Sequence, residues 1–364
     1  MGNTQQQQQQ PPLSHGINLP STETYDIDQD IKHKAYEIEK QLLQTHIPSL
    51  TANDIYYQDI PINFYGNNNY IHTLICNTTN TTTNTINPPT KEVIVMLHGY
   101  QGNSLSFYKL MPLISHKFIS YAPDMIGMGL SSRPKVEFNS SFMCYEYFIE
   151  SLEAWRKALH IEHFYLCGHS MGGFFASIYA LKYPQYIKDL ILLAPTCVTD
   201  TAIGGGDIHE TVWWPQKVGF NLIKSFWTYQ PRLQDISQHV LFKHIFNKAL
   251  RIRYAISENE NELLGQITEL TMKYPKDTDQ CIYYIFKHPF PSAQFPLEKD
   301  LEEQLQDKRI LFIYGEKDWM EKIGAVRLCN KQPHRCLMFT ISKYGHTFPL
   351  ENPQEVADVI NNNL

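Results

Sequence analysis

Between His163 and Ala176 the chain reads His-Phe-Tyr-Leu-Cys-Gly-His-Ser-Met-Gly-Gly-Phe-Phe-Ala, and no other stretch restricts the fold as strongly. Phe164, Leu166 and Cys167 make a short apolar run that stops at Gly168, and helix-compatible residues begin at Met171. A strand must therefore pass into a helix within three residues. Ser170 occupies the apex. In Gly168-His169-Ser170-Met171-Gly172 the glycines leave room for a backbone held in a sparsely populated conformation, where larger residues would crowd the turn. The hydroxyl then projects from the carboxyl end of a strand at a helix N-terminus, where backbone N–H groups and the helix dipole favour negative charge. A Gly-x-Ser-x-Gly alone can arise in any turn; one bracketed by a strand and a helix predicts an exposed nucleophile.

The flanking sequence supplies the rest of an alternating pattern. Ile31, Ala35, Ile38 and Leu42 mark one face of a helix from Gln29 to His46. Ile55–Tyr65 and Tyr70–Cys76 predict a hairpin turning at Gly66-Asn67-Asn68-Asn69. Val93–Leu97 is a continuous apolar strand that runs into His98-Gly99-Tyr100-Gln101-Gly102, a glycine-bearing turn able to expose backbone N–H groups. Phe118–Ala122 is a further strand, and in the loop after it Asp124 reads as an anchor for the loop itself. Helices are predicted around Phe148–Leu159 and Phe174–Leu181, with strands at Leu190–Ala194, Arg309–Tyr314 and Cys336–Thr340 and a last helix from Pro353. Such alternation predicts an α/β fold with a doubly wound, mostly parallel sheet whose ligands bind at the carboxyl ends of the strands.

Two segments depart from this pattern. Residues 1–20, with glutamine from Gln5 to Gln10 and then Pro11-Pro12, bury too little apolar surface to order and are predicted to be a disordered tail. Residues 196–295 lose the alternation and are rich in large apolar side chains, including Trp213, Trp214, Phe220, Phe226 and Trp227. They predict an inserted helical lid, partly ordinary core and partly an inner face for an acyl chain, with Gly204-Gly205-Gly206 as a flexible entry to it. The core is thus divided into 21–195 and 296–364. That glycine run follows no strand and precedes no Gly-Lys-Ser/Thr, so it is not a phosphate loop, and no cofactor is indicated.

A serine hydroxyl needs a base to remove its proton, and the base needs an acid to hold its tautomer. Asp318 follows Ser170 by 148 residues and His346 follows Asp318 by 28, each in a loop after a predicted strand. The order Ser, Asp, His at successive strand ends predicts the triad Ser170–His346–Asp318, with Glu321, one helical turn on, as a competing acid. The backbone N–H groups of Tyr100 and Met171 are the candidate oxyanion donors. His98, His169 and the other histidines show no metal-ligand spacing, so no metal is expected.

A formal net charge of -6 and a pI near 6.2 leave no basic footprint, which argues against nucleic acid as a partner. Seven cysteines, an odd number without a Cys-x-x-Cys pair, predict buried reduced thiols and a reducing, cytoplasmic compartment. No apolar run reaches the ~20 residues of a spanning helix, and no secretory h-region is present.

The segments Phe148-Ile149-Glu150-Ser151-Leu152-Glu153-Ala154-Trp155-Arg156-Lys157-Ala158-Leu159, Gly168–Phe174, Leu181-Lys182-Tyr183-Pro184 and Gly127–Pro134 together resemble the α/β-hydrolase fold, and within it the α/β-hydrolase domain-containing 4 and 5 group. The resemblance covers nearly the whole chain outside the tail. It implies glycerophospholipid substrates, with phospholipase or lysophospholipase action and lysophosphatidic-acid acyltransferase activity. One branch of the group carries Asn where Ser170 stands and acts as a lipase co-activator; this chain keeps the serine. The group's His-x4-Asp motif, linked to acyl transfer, has Glu351 in place of the Asp after His346. The resemblance further implies peripheral attachment to a membrane or lipid-droplet surface, with a lipase as a further partner and the mitochondrion as a second location. The Trp213-Trp214 to Trp227 stretch is the expected docking surface.

Overall fold

The computed structural model describes residues 23–364 apart from 26–27, 79–90, 201–228, 233–234, 236–247, 249, 252, 275 and 288–292. The expected tail, the Gly204–Gly206 entry to the lid and the Trp213–Trp227 docking stretch therefore lie outside the described residues.

Eight strands form one sheet: β1 Ile55–Phe64, β2 Asn67–Cys76, β3 Glu92–Leu97, β4 Phe118–Pro123, β5 Phe164–His169, β6 Ile187–Leu193, β7 Ile310–Gly315 and β8 Cys336–Ile341. Their order is β8-β7-β6-β5-β3-β4-β2-β1. From β8 to β4 every neighbouring pair is parallel, and β2 and β1 join antiparallel at the edge. The central strands are buried on both faces, as continuous apolar runs require: Ile94, Val95 and Met96 of β3 and all of β7 are inaccessible. The longer helices among the described residues are α1 Gln29–His46, α2 Ser141–Ala158, α3 Met171–Lys182, α4 Glu258–Thr271, α5 Glu298–Gln304, α6 Ile323–Lys331 and α7 Pro353–Asn363.

From β3 the chain steps one way to β4 and then returns past β3 to β5, so the direction of winding reverses. Right-handed crossovers then put the short helix Leu110–Ile114 on one face and α2 and α3 on the other. The last helix, α7, packs beside Leu110–Ile114. The reversal opens a crevice between the carboxyl ends of β3 and β5. Their register sets Leu97 opposite Gly168, which brings the His98–Gly102 turn alongside the Ser170 turn.

The hairpin is tighter than its asparagines suggest. Tyr65 and Gly66 alone form the turn, with φ of 49° and 77°, and Asn67 and Asn69 already belong to β2. Two successive positive φ values match the twist of the paired strands, whereas a longer asparagine loop would splay them.

α1 is fastened to this hairpin through charge. On β1, Asp59 accepts from Lys32 Nζ at 2.6 Å and Tyr36 Oη at 2.8 Å, and its Oδ1 lies 2.7 Å from Nδ1 of the fully buried His72. The other His72 nitrogen faces Glu39 at 3.3 Å. α1 also packs along α4, where the buried Glu260 carboxylate receives Lys109 Nζ at 2.5 Å and the Tyr108 hydroxyl. One helix of the 196–295 segment is thus tied to the core.

The Glu-x-Trp-Arg segment of α2 is structural. Glu153 takes a bidentate pair from Arg156, Nε and Nη2 each at 2.8 Å, and the Tyr179 hydroxyl at 2.6 Å. The Arg156 guanidinium lies 3.7 Å from the Tyr186 ring centroid, and Trp155 Nε1 donates to Thr73 on β2 at 3.0 Å. Arg156→Ala strands the Glu153 carboxylate. Removing one member of a buried pair costs about 3–5 kcal/mol, and since Lys157 Nζ at 3.3 Å and Tyr179 remain, the lower end applies. Urea unfolding should show a fall of about 3 kcal/mol with an unchanged slope; a loss under about 1 kcal/mol would refute this clamp.

Candidate active site

β5 ends at His169 and α3 starts at Met171, leaving Ser170 at φ 56° and ψ -119°. That conformation is held from several sides. Ser170 N–H donates to Leu193 O at 2.9 Å, and its carbonyl accepts from Gly173, Thr196 and Phe174 N–H at 3.0, 3.2 and 3.3 Å. A Cβ on Gly168 would stand 2.3 Å from Gly172 O, and one on Gly172 would stand 2.2 Å from Leu97 O. Both glycines are thus demanded by backbone contact. No hydrogen bond caps the helix through the Ser170 side chain.

His346 sits in the loop after β8 and lines the same cleft as Ser170, bounded also by Tyr100, His169, Arg253 and Thr347. Its Nδ1 donates to Asp318 Oδ1 at 2.9 Å, with Oδ2 at 3.2 Å. The Asp318 side chain is fully buried, and Oδ1 also accepts Met320 N–H at 2.9 Å. With Nδ1 donating, Nε2 is the nitrogen left free to accept a proton. The two loops are pressed together where β7 ends: a Cβ on Gly315 would lie 2.3 Å from Gly345 O. Glu321 points elsewhere, its Oε1 accepting Lys322 and Ile323 N–H, each at 2.8 Å, at the start of α6.

Tyr100 lines the cleft, and Met171 is the first residue of α3, where a helix N–H has no internal acceptor. The turn bearing Tyr100 is clamped from below by His98. Met125 N–H donates to His98 Nε2 at 2.9 Å, so Nδ1 carries the proton and donates to Gly99 O at 2.9 Å. Burial lowers the pKa of His98 and keeps it in that neutral form. Asp279 holds the turn from the far side, its carbonyl accepting the Tyr100 hydroxyl at 3.1 Å and its Oδ1 accepting Gln101 Nε2 at 2.8 Å. Gln101 is itself left-handed, at φ 57°.

Sequence reading found no role for His169. Its Nε2 donates to the His346 carbonyl at 2.8 Å, and the two rings lie 4.8 Å apart. Burial, followed by the charge of His346, pushes its pKa down to about 3, so it remains a neutral donor that fixes the backbone of His346. The Trp319 ring, half exposed, also lies 4.8 Å from the His346 ring. Asp124 is a loop anchor, accepting Ser104 N–H at 2.7 Å and Leu130 N–H at 2.8 Å. All seven cysteines are free, six of them buried. Among the described residues, no group of three His, Cys, Asp or Glu side chains is placed to hold a metal ion, and no helix is long and apolar enough to cross a membrane.

A model of the alpha/beta hydrolase fold matches residues 92–353, from β3 to the start of α7. The chain belongs to the α/β-hydrolase fold family. Among similar members, this α/β-hydrolase is 29% identical over 282 residues to the 1-acylglycerol-3-phosphate O-acyltransferase of Arabidopsis thaliana, covering 74% of this chain and 66% of that one. It is 39% identical over 110 residues to the 1-acylglycerol-3-phosphate O-acyltransferase ABHD5 of Rattus norvegicus, covering 30% and 31%. The chain thus spans no more than about two thirds of these relatives. Carboxylesterase CesB from Bacillus subtilis has a similar fold, with a TM-score of 0.59 at 15% identity over 92% of this chain and 98% of that one. These likenesses agree with the resemblance to the α/β-hydrolase domain-containing 4 and 5 group.

Proposed function

We propose that this α/β-hydrolase cleaves acyl esters of glycerophospholipids through an acyl-enzyme on Ser170. The observation that carries the reading is the convergence of Ser170 and His346 on one cleft with Asp318 on His346 Nδ1. His346 Nε2 takes the hydroxyl proton as Ser170 Oγ attacks the acyl carbonyl. The developing oxyanion is met by the Met171 and Tyr100 N–H groups, and Asp318 stabilises the imidazolium. Collapse expels the lipid alcohol, which leaves with the proton from His346; water then repeats the sequence and releases a fatty acid. The 196–295 segment acts as a lid over the cleft, and the enzyme reaches its substrate by docking peripherally on a lipid surface.

A second reading has a specific support. Both relatives are named as acyltransferases acting on 1-acylglycerol-3-phosphate; in that case a lysophosphatidic-acid hydroxyl replaces water at the acyl-enzyme. A lipase-binding scaffold without chemistry of its own is disfavoured by the serine at position 170. Incubation with acyl-CoA, with and without lysophosphatidic acid, distinguishes these readings by mass spectrometry. Hydrolysis predicts free fatty acid in both mixtures, transfer predicts phosphatidic acid only when the acceptor is present, and absence of both products from acyl-CoA and from phospholipid would sink the enzymatic reading.

A further inference from the structure

Segment 253–256 brings a cation to the cleft. Arg253 lines the same space as Ser170 and His346, together with Tyr254, Ser106 and Thr347. The backbone that carries it is held at three points. Asn261, buried in α4, accepts Tyr254 N–H at 3.1 Å and donates to Tyr254 O at 2.9 Å, and Glu351 accepts Ala255 N–H at 2.7 Å. Glu351 is the residue five positions after His346, so the loop that presents the histidine also fixes the segment that presents the arginine.

The neighbouring arginine shows what is unusual here. Arg251 is neutralised by Glu262 at 2.7 Å and Glu269 at 3.1 Å. Arg253, two residues on, is exposed and pairs with no carboxylate among the described residues. Its charge nonetheless reaches His169 beside the triad. A guanidinium that meets no carboxylate among the described residues, on a clamped backbone and in a cleft also lined by Ser106 and Thr347, suits an anion with several acceptor oxygens.

We propose that Arg253 is the recognition group for a phosphate carried by the substrate, with Glu351 as its positioning residue; this rests on the acyl-ester reading above. A phosphate monoester on a lysophospholipid and the phosphates of acyl-CoA share this chemistry. Arg253 acts on selectivity between charged and neutral acyl compounds, whereas the triad acts on the acyl carbonyl common to both.

The test uses the full chain in its Ser170→Ala form, so that binding is read without turnover. Dissociation constants are measured for lysophosphatidic acid, for monoacylglycerol of the same acyl length and for acyl-CoA. Arg253→Gln should narrow the preference for the phosphate-bearing compound over monoacylglycerol by about tenfold or more, as expected for a charged hydrogen bond. Arg253→Lys should keep part of the preference. Glu351→Ala should narrow it too, while Glu351→Gln, which retains an acceptor for Ala255 N–H, should restore it. A loss confined to lysophosphatidic acid identifies the lipid head group; a loss confined to acyl-CoA identifies the coenzyme. An unchanged preference, or equal weakening for all three ligands at an unchanged melting temperature, overturns the proposal. Failure of the acyl-ester reading shows elsewhere, as turnover that survives Ser170→Ala.

Discussion

Ser170→Ala should lower turnover of acyl-ester lipids by about 10⁴- to 10⁶-fold and abolish labelling by a fluorophosphonate probe, with the melting temperature nearly unchanged. The magnitude follows from the role: without an oxygen nucleophile no acyl-enzyme forms, and only binding and the oxyanion donors remain. The unchanged stability follows from the geometry. The Ser170 hydroxyl makes no capping bond, and the strained backbone is held by main-chain contacts to Leu193, Gly173 and Thr196 that alanine preserves. A variant that keeps turnover or labelling would remove Ser170 as the nucleophile, while one that merely unfolds would show the turn to be more fragile than its contacts imply.

Asp318→Asn is expected to lower turnover by about 10³- to 10⁴-fold without disturbing the fold. Asp318 Oδ1 accepts from both His346 Nδ1 and Met320 N–H. Asparagine has no charge to stabilise the imidazolium, and its NH₂ replaces one of the two carboxylate oxygens that face Nδ1, at 2.9 and 3.2 Å. Where that NH₂ donates to Nδ1, Nδ1 must accept, which places the proton on Nε2 and removes the base from Ser170. Glu321→Gln serves as the comparison. Because Glu321 is turned to the Lys322 and Ile323 N–H groups, its neutralisation should change turnover by less than about threefold, the range of a charge acting at a distance through water. Steady-state kinetics on both variants decide the matter; a larger loss in Glu321→Gln than in Asp318→Asn would reverse the assignment of the acid.

Local signals carried much of the fold. The continuous apolar run at Val93–Leu97 predicts a strand covered on both faces because only such strands lack polar alternation, and β3 is buried accordingly, as is β7. Helix α1 follows the bounds of its apolar period because that period is set by the helix itself. The hairpin turn was misplaced by three asparagines, since turn propensity is weaker than the register imposed by β1 on β2. The Glu-x-Trp-Arg segment, the most distinctive run outside the serine turn, proved to be a clamp between α2, α3 and the sheet.

The residues that sequence reading missed around the cleft have one feature in common. His169 meets His346 across 177 positions and Gln101 meets Asp279 across 178. Neither pair leaves a local trace, because hydrogen bonds between distant loops impose no periodicity and no fixed spacing on the chain. Arg253 leaves no local trace either, since its place in the cleft and its lack of a carboxylate partner among the described residues are set by the fold.

What the sequence determined by itself was therefore what short-range sterics and periodic burial can encode: the alternating elements, the glycines that backbone contact demands at 168 and 172, and the chain order of Ser170, Asp318 and His346. What only the tertiary structure decided was which groups face one another at the crevice between β3 and β5. It set Asp318 rather than Glu321 on the imidazole, made His98 and His169 neutral supports, and brought Arg253 to the cleft wall. The reason is physical: strand order and crossover handedness bring the loop ends together, and at that junction charge and hydrogen-bond geometry act over a few ångströms between residues a hundred or more positions apart.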